Sequence, residues 1–256
     1  MNRIEEALKD KKSFIGYITA GHPTIDISEK VIYKMVEAGT DLIEIGIPFS
    51  DPNAEGEVIH NANIKALKNG MKIEKAFDLV ETVRKKVNVP IVFLTYCNPV
   101  FKYGYDEFFK KCKEVGADGI IVPDLPFEER DEMKVFADKY GIIMITLVPP
   151  VSKNRIEMLA KDAKGFAYLV SSMGLAGVRK KFPDGVKEFA KFVKENTNIP
   201  ILIGFGIENE EQIKEMSEIS DGIILDSAIV NIIEESGEEA PEKVFKFIKE
   251  IKNTIA

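Results

Sequence analysis

The residues with the most chemical potential lie in one stretch, Glu44-Ile45-Gly46-Ile47-Pro48-Phe49-Ser50-Asp51-Pro52, and in the acidic loop that continues it to Glu57. Glu44 sits inside an apolar run, where a carboxylate is costly unless it is paired or used. Strand alternation puts Glu44 on one face and Ile43 and Ile45 on the other. Facing a low-dielectric interior, its pKa would rise and suit it to proton transfer. A buried Glu tied to a lysine or a backbone amide is the competing reading, and position alone divides the two evenly. Glu55 offers a second carboxyl, and two carboxyls in unlike surroundings can form an acid–base pair across a substrate. A loop carboxylate that is merely solvated is the commoner case.

Three other segments have the composition of an anion cradle. These are Ser171-Ser172-Met173-Gly174-Leu175-Ala176-Gly177, then Gly204-Phe205-Gly206, then Asp226-Ser227 at the start of a helical pattern. Glycines let backbone N–H groups approach an anion, and a helix N-terminus adds its dipole. The plainer reading is that these glycines only make tight turns. His22 and His60 are the two histidines, and no Cys or Asp spacing completes a ligand set, so no metal is expected. Each histidine reads as a surface or turn residue. Tyr17, Tyr96 and Tyr168 lie in or beside apolar runs, where packing and a place at the site mouth are both open.

Elements that would position these residues are legible as a rhythm. Eight short apolar runs occur at 13–19, 41–45, 90–95, 119–122, 142–147, 167–170, 200–203 and 222–225. Their length and β-branched content favour strands, and their two apolar faces suit parallel strands covered by helices. Helical spacing of apolar residues fills 28–37, 73–87, 105–115, 128–139, 153–162, 184–195, 209–219 and 241–255, with a short helix at 4–8. Repeated βα units predict a closed, parallel eight-stranded (β/α)8 TIM barrel, with an open doubly wound sheet as the alternative. Either architecture places a ligand beyond the carboxyl ends of the strands. No Pro/Gly/Ser linker or low-complexity tract divides the 256 residues, so one domain over 1–256 is expected.

Bulk properties agree. Hydrophobic residues make up 45% and charged residues 30%, and the net charge is −7. An acidic surface argues against nucleic acid or an anionic membrane as the main partner. Cys97 and Cys112 have no CxxC or metal spacing and read as reduced thiols. The amino terminus lacks the apolar core of a signal peptide, and no window approaches a membrane span, so a cytoplasmic location is expected.

The signature from Glu44 to Pro52 resembles that of the tryptophan synthase alpha subunits. So do Tyr96-Cys97-Asn98-Pro99, Val122-Pro123-Asp124-Leu125-Pro126-Phe127-Glu128-Glu129, Gly204-Phe205-Gly206-Ile207 and Ser227-Ala228-Ile229-Val230. The likeness spans nearly the whole chain and favours the barrel. It implies retro-aldol cleavage of indole-3-glycerol phosphate to indole and glyceraldehyde 3-phosphate, a lyase step of tryptophan biosynthesis. That chemistry uses neither Schiff base nor metal, and no cofactor is expected. By resemblance, Glu44 moves the protons of the ring carbon and the glycerol hydroxyl. Glu55 is the second carboxyl, supported by Tyr168. Gly177, Gly206, Ser227 and Asp226 fall on the phosphate end, and Tyr17, Leu94, Leu125 and Ile59 on the indole pocket. Asp51 and Pro52 would face a pyridoxal-phosphate-dependent beta subunit in an alpha2beta2 assembly.

Departures from the family pattern cluster at the site. Asn53-Ala54-Glu55-Gly56-Glu57 stands where the family has Leu-Ala-Asp-Gly-Pro, so the second carboxyl gains a methylene. Ala176 lacks the usual Thr hydroxyl. Asp226 replaces a Gly, which would set a carboxylate beside the phosphate unless Asp226 turns away and caps the following helix. Arg179, Lys180 and Lys181 are candidates to offset that charge. An alpha-like barrel with impaired or altered lyase activity, acting as a binding or regulatory partner of a beta subunit, is therefore the alternative reading. An isomerase or aldolase on the same barrel would need a strand lysine suited to a Schiff base, and none is present.

Overall fold

The computed structural model describes residues 2–170, 185–204 and 210–255. Nine strands form one sheet: β1 Ser13–Thr19, β2 Leu42–Gly46, β3 Ile91–Leu94, β4 Gly119–Ile121, β5 Ile143–Met144, β6 Thr146–Val148, β7 Ala167–Val170, β8 Ile201–Gly204 and β9 Gly222–Leu225. Every pairing is parallel. The order is β5-β4-β3-β2-β1-β9-β8-β7-β6. The two ends of the sheet are consecutive in the chain, joined only by Ile145, so the ring closes through that residue.

The fifth apolar run, 142–147, thus becomes two short strands rather than one. β5 pairs β4 and β6 pairs β7. Between them, the Ile145 amide donates to the Ile120 carbonyl at 2.9 Å. The bend lets one stretch of chain serve both neighbours and completes the eight-position barrel.

Surrounding the sheet are α1 Arg3–Ala7, α2 Ile25–Ala38, α3 Glu57–Lys68, α4 Ile73–Arg84, α5 Cys97–Tyr103, α6 Tyr105–Val115, α7 Asp131–Tyr140, α8 Lys153–Asp162, α9 Val186–Glu195, α10 Glu210–Ile219, α11 Ser227–Ser236 and α12 Ala240–Ile255. Helices α3 and α5 were not among the predicted ones. The buried side of α3 includes Asn63 between Ala62 and Ala66, which dilutes its apolar period, and no side chain caps it. α5 has seven residues and carries Pro99 in its first turn, where a missing N–H costs nothing.

Alternation sorts the strand residues into two cores. Ile43, Ile45, Ile91, Phe93, Ile120, Leu169, Ile203 and Leu225 point outward and pack with the apolar helix faces. Ile15, Leu42, Val92, Ile121, Ile145, Tyr168, Leu202 and Ile224 point inward, and nearly every strand supplies one. This inner core is floored by α1, whose Ile4 is fully buried together with Leu8 and Phe166. Arg3 on α1 donates to Asp118 at 2.8 Å, and Arg84 reaches the same carboxylate at 3.0 Å. Asp118 also accepts the Ile91 amide at 2.9 Å, so the floor is tied to β3. Among the described residues no helix is long and apolar enough to cross a membrane.

Trimming the plug should be costly. Ile4→Ala is expected to destabilise the protein by about 2–5 kcal/mol, because the rigid inner ring cannot collapse onto the gap. Urea unfolding of the two proteins measures it, and a loss below about 1 kcal/mol would show that α1 does not floor the core.

Candidate active site

Strand register brings the site together at one level of the barrel. Tyr17 on β1 lies beside Glu44 on β2, and Glu44 lies beside Val92 on β3. On the other side of β1, Gly16 pairs with Leu225 of β9, which sets Asp226 next to Tyr17. Ile224 points inward and Leu225 outward, so alternation turns Asp226 back toward the interior. Asp226, Tyr17 and Glu44 thus form a row across three adjacent strands near their carboxyl ends.

Two glycines make room for the interior tyrosines Tyr17 and Tyr168. A side chain at Gly46 would meet the Tyr17 hydroxyl at 2.0 Å, and one at Gly204 would meet the Tyr168 hydroxyl at 2.6 Å. Gly204 therefore serves ring packing inside the barrel, beyond any part in a turn.

Glu44 is completely buried, and neither carboxyl oxygen has a hydrogen-bond partner among the described residues. Among the described residues no lysine or amide ties this carboxyl. Burial, and secondly the charge of Asp226, raises its pKa well above the usual carboxylate range. Burial therefore favours the neutral, protonated form of Glu44.

Glu55 stands in different surroundings, half-buried on the loop before α3. It accepts from Asn63 Nδ2 at 2.6 Å and from the Tyr96 hydroxyl. Burial pushes its carboxyl up to about 7, while those two donors hold it down. Tyr96 is itself buried, accepts the Ala54 amide at 3.4 Å and packs on Phe49 with ring centroids 5.3 Å apart. The signature loop therefore orders the second carboxyl through Phe49 and Tyr96. Sequence reading gave Tyr96 no specific role and did not single out Asn63. The spacing of Glu55 and Asn63 across the start of α3 was a usable signal once that helix was recognised.

The other candidates divide. Tyr17, Ile59 and Leu94 share one apolar cluster with Ala62 and Val230. Leu125 lines a half-open cavity of about 530 Å³ with Ala54, Leu147 and Val170, a size that suits a small ligand. Tyr168 is buried, and burial followed by Asp226 and Glu44 raises its pKa, so its electrostatic neighbours are those carboxyls. Asp51 is exposed on the rim, bonded to the Ser50 hydroxyl at 2.5 Å, and Pro52 is half-buried. Ser227 opens α11 half-buried. Asp226 makes no side-chain bond to the α11 amides, so it is not the helix cap considered from sequence. Gly177, Gly206, Ala176, Arg179, Lys180 and Lys181 lie outside the described residues.

His22 is a buried turn residue rather than a surface one; its Nε2 lies 2.8 Å from Glu234. Cys97 and Cys112 are free, and burial pushes the Cys97 thiol up to about 12. No group of His, Cys, Asp and Glu placed to hold a metal occurs among the described residues.

Raised carboxyls link the site to stability. Folded Glu55 binds its proton up to about pH 7, whereas the unfolded group releases it near its ordinary 4.5. Between those values the folded state holds more protons, so stability falls as pH rises through the window. Glu44 acts in the same direction. Glu44→Gln and Glu55→Gln should each flatten the decline of Tm between about pH 4.5 and 7. A wild-type decline that neither substitution reduces would contradict these protonation states.

Comparison with known proteins agrees with this geometry. The family model described as tryptophan synthase alpha chain matches residues 4–255. The tryptophan synthase alpha chain of Lacticaseibacillus casei is 45% identical over 252 residues, covering 98% of this chain and 95% of the relative. That of Thermoanaerobacter sp. (strain X514) is 43% identical and covers all of both chains. The crystal structure of tryptophan synthase subunit alpha from Legionella pneumophila str. Paris superposes with a TM-score of 0.90 at 33% identity, covering 100% of this chain and 98% of that one. A Mycobacterium tuberculosis tryptophan synthase structure gives 0.90 at 27% identity over 99% of this chain and 98% of that one. With strand order, interior carboxyl and full-length similarity in agreement, the chain belongs to the tryptophan synthase alpha chain family, a family of lyases.

Proposed function

We propose that the whole chain works as one barrel domain that cleaves indole-3-glycerol phosphate to indole and glyceraldehyde 3-phosphate. The observation that carries the reading is Glu44, a buried carboxyl with no hydrogen-bond partner among the described residues, in the barrel interior beside an apolar cluster suited to an aromatic ring. Glu44 donates its proton to the indole ring carbon that bears the glycerol chain. Glu55, as carboxylate, accepts a hydrogen bond from the indole N–H and stabilises the positive charge of the protonated ring. Ionised Glu44 then takes the proton of the adjacent glycerol hydroxyl. The carbon–carbon bond breaks, its electrons return to the ring, and the hydroxyl carbon becomes the aldehyde. Protons balance, and Glu44 ends as it began.

Tyr17, Ile59, Leu94 and Leu125 form the indole pocket in this reading. Gly177, Gly206, Ser227 and the Asp226 backbone form the phosphate end. Tyr168 supports the carboxyl cluster from the interior. A pyridoxal-phosphate-dependent beta subunit docks on the mouth in an alpha2beta2 assembly. Exposed Asp51 and the 68%-exposed Phe101 on α5 offer it a rim contact.

Asp226 supports a second reading, that the barrel binds its partner but has weak or altered lyase activity. The discriminating measurement is indole release from indole-3-glycerol phosphate, with and without a beta subunit. Release is expected, strengthened by the beta subunit, and Glu44→Gln should reduce it by at least about 10²-fold, as for loss of a general acid–base group. No release under either condition rejects the lyase. In that case, gain of activity on restoring Asp at 55 and Gly at 226 supports the second reading.

A further inference from the structure

The row Asp226–Tyr17–Glu44 contains one more carboxyl than the proposed mechanism uses. We propose that Asp226 is a positioning residue of the acid–base site, acting through Glu44 by keeping a proton on it. This rests on the proposed role of Glu44 as proton donor.

The geometry is set by the backbone. Asp226 and Glu44 are the inward residues on either side of Tyr17, each one strand away, and parallel neighbours lie about 4.8 Å apart. Barrel curvature makes inward side chains converge. Asp226 is not diverted to the helix start, since its carboxyl makes no bond to the α11 amides. Glu44 has no donor to stabilise its anion. Across the one intervening strand, in a poorly solvated interior, each carboxylate charge disfavours the other, and Asp226 is the charge that raises Glu44 after burial. The deeper group keeps its proton: Glu44 is fully buried, whereas Asp226 is partly accessible at the mouth.

Other titratable groups around the row reinforce this arrangement. From β1, Tyr17 is a neutral hydroxyl bonded to Thr19 at 3.2 Å. From β7, buried Tyr168 is neutral too. From the loop before α3, Glu55 adds negative charge and, after burial, is the second cause raising Asp226 to about 7. None of these faces a cation toward Glu44. As Asp226 ionises around and above pH 7, its charge disfavours ionisation of Glu44 and so favours the state from which ring protonation starts.

The test is a carboxyl titration of the full chain labelled with ¹³C-carboxyl glutamate, followed by NMR. The Glu44 signal is assigned by its loss in Glu44→Gln. In the wild type, Glu44 should stay protonated through neutral pH. In Asp226→Asn its midpoint should fall by about one pH unit or more, and in Asp226→Glu it should stay near the wild-type value. Asp226→Ser removes the charge by a different route and should reproduce the fall. The limb of the pH profile for indole release that needs protonated Glu44 should move to lower pH by the same amount. An unmoved midpoint in Asp226→Asn and Asp226→Ser overturns the inference, even in an active enzyme. A moved midpoint in a protein that releases no indole upholds it and rejects only the lyase reading.

Discussion

Side-chain alternation in a closed ring of parallel strands is the constraint on which the rest of this structure depends. Once the ring closes, each strand sends alternate residues into an interior that excludes water and offers no spare backbone donors, because every strand amide serves its neighbours. A carboxyl placed there must remain neutral or find a partner. Glu44 finds none among the described residues, and burial raises its pKa and favours the neutral form. The same closure packs Tyr17 against Gly46 and Tyr168 against Gly204, so the size of those residues is dictated by the tyrosine rings beside them.

The second carboxyl obeys a different rule. Glu55 lies on a loop, near solvent, with Asn63 and Tyr96 donating to it. Two carboxyls of similar intrinsic strength are thereby pushed apart, Glu44 well above the usual carboxylate range and Glu55 to about 7, and such a separation suits a pair to acid and base roles at one pH. The added methylene of Glu55 is carried by α3 and by the Phe49–Tyr96 contact, which hold its reach.

Stability and chemistry occupy opposite ends of the barrel. Its floor is apolar and tied down, with Ile4 and Leu8 plugging the interior and Asp118 collecting Arg3, Arg84 and a strand amide. Its mouth carries the half-buried acids, an open cavity and exposed Phe101. Burying these carboxyls with no facing cation among the described residues costs stability, and a rigid floor supports that cost at the mouth.

Much of this was legible in the sequence. The short apolar runs, by their length and β-branched content, and the stretches between them, by their helical spacing, specify strands and helices. Glu44 stood out for the same reason, as a charge inside such a run. The split at Ile145, helices α3 and α5, and the direction of Asp226 were not legible, since local preference there is weak and the outcome depends on neighbouring strands. Sequence also left Glu44 balanced between catalyst and tied structural acid. Only the tertiary structure bears on that, by showing that no described group comes within hydrogen-bond reach of its oxygens. Hydrogen-bond partners lie far apart in the chain, and a barrel brings them together, or withholds them, only when it closes.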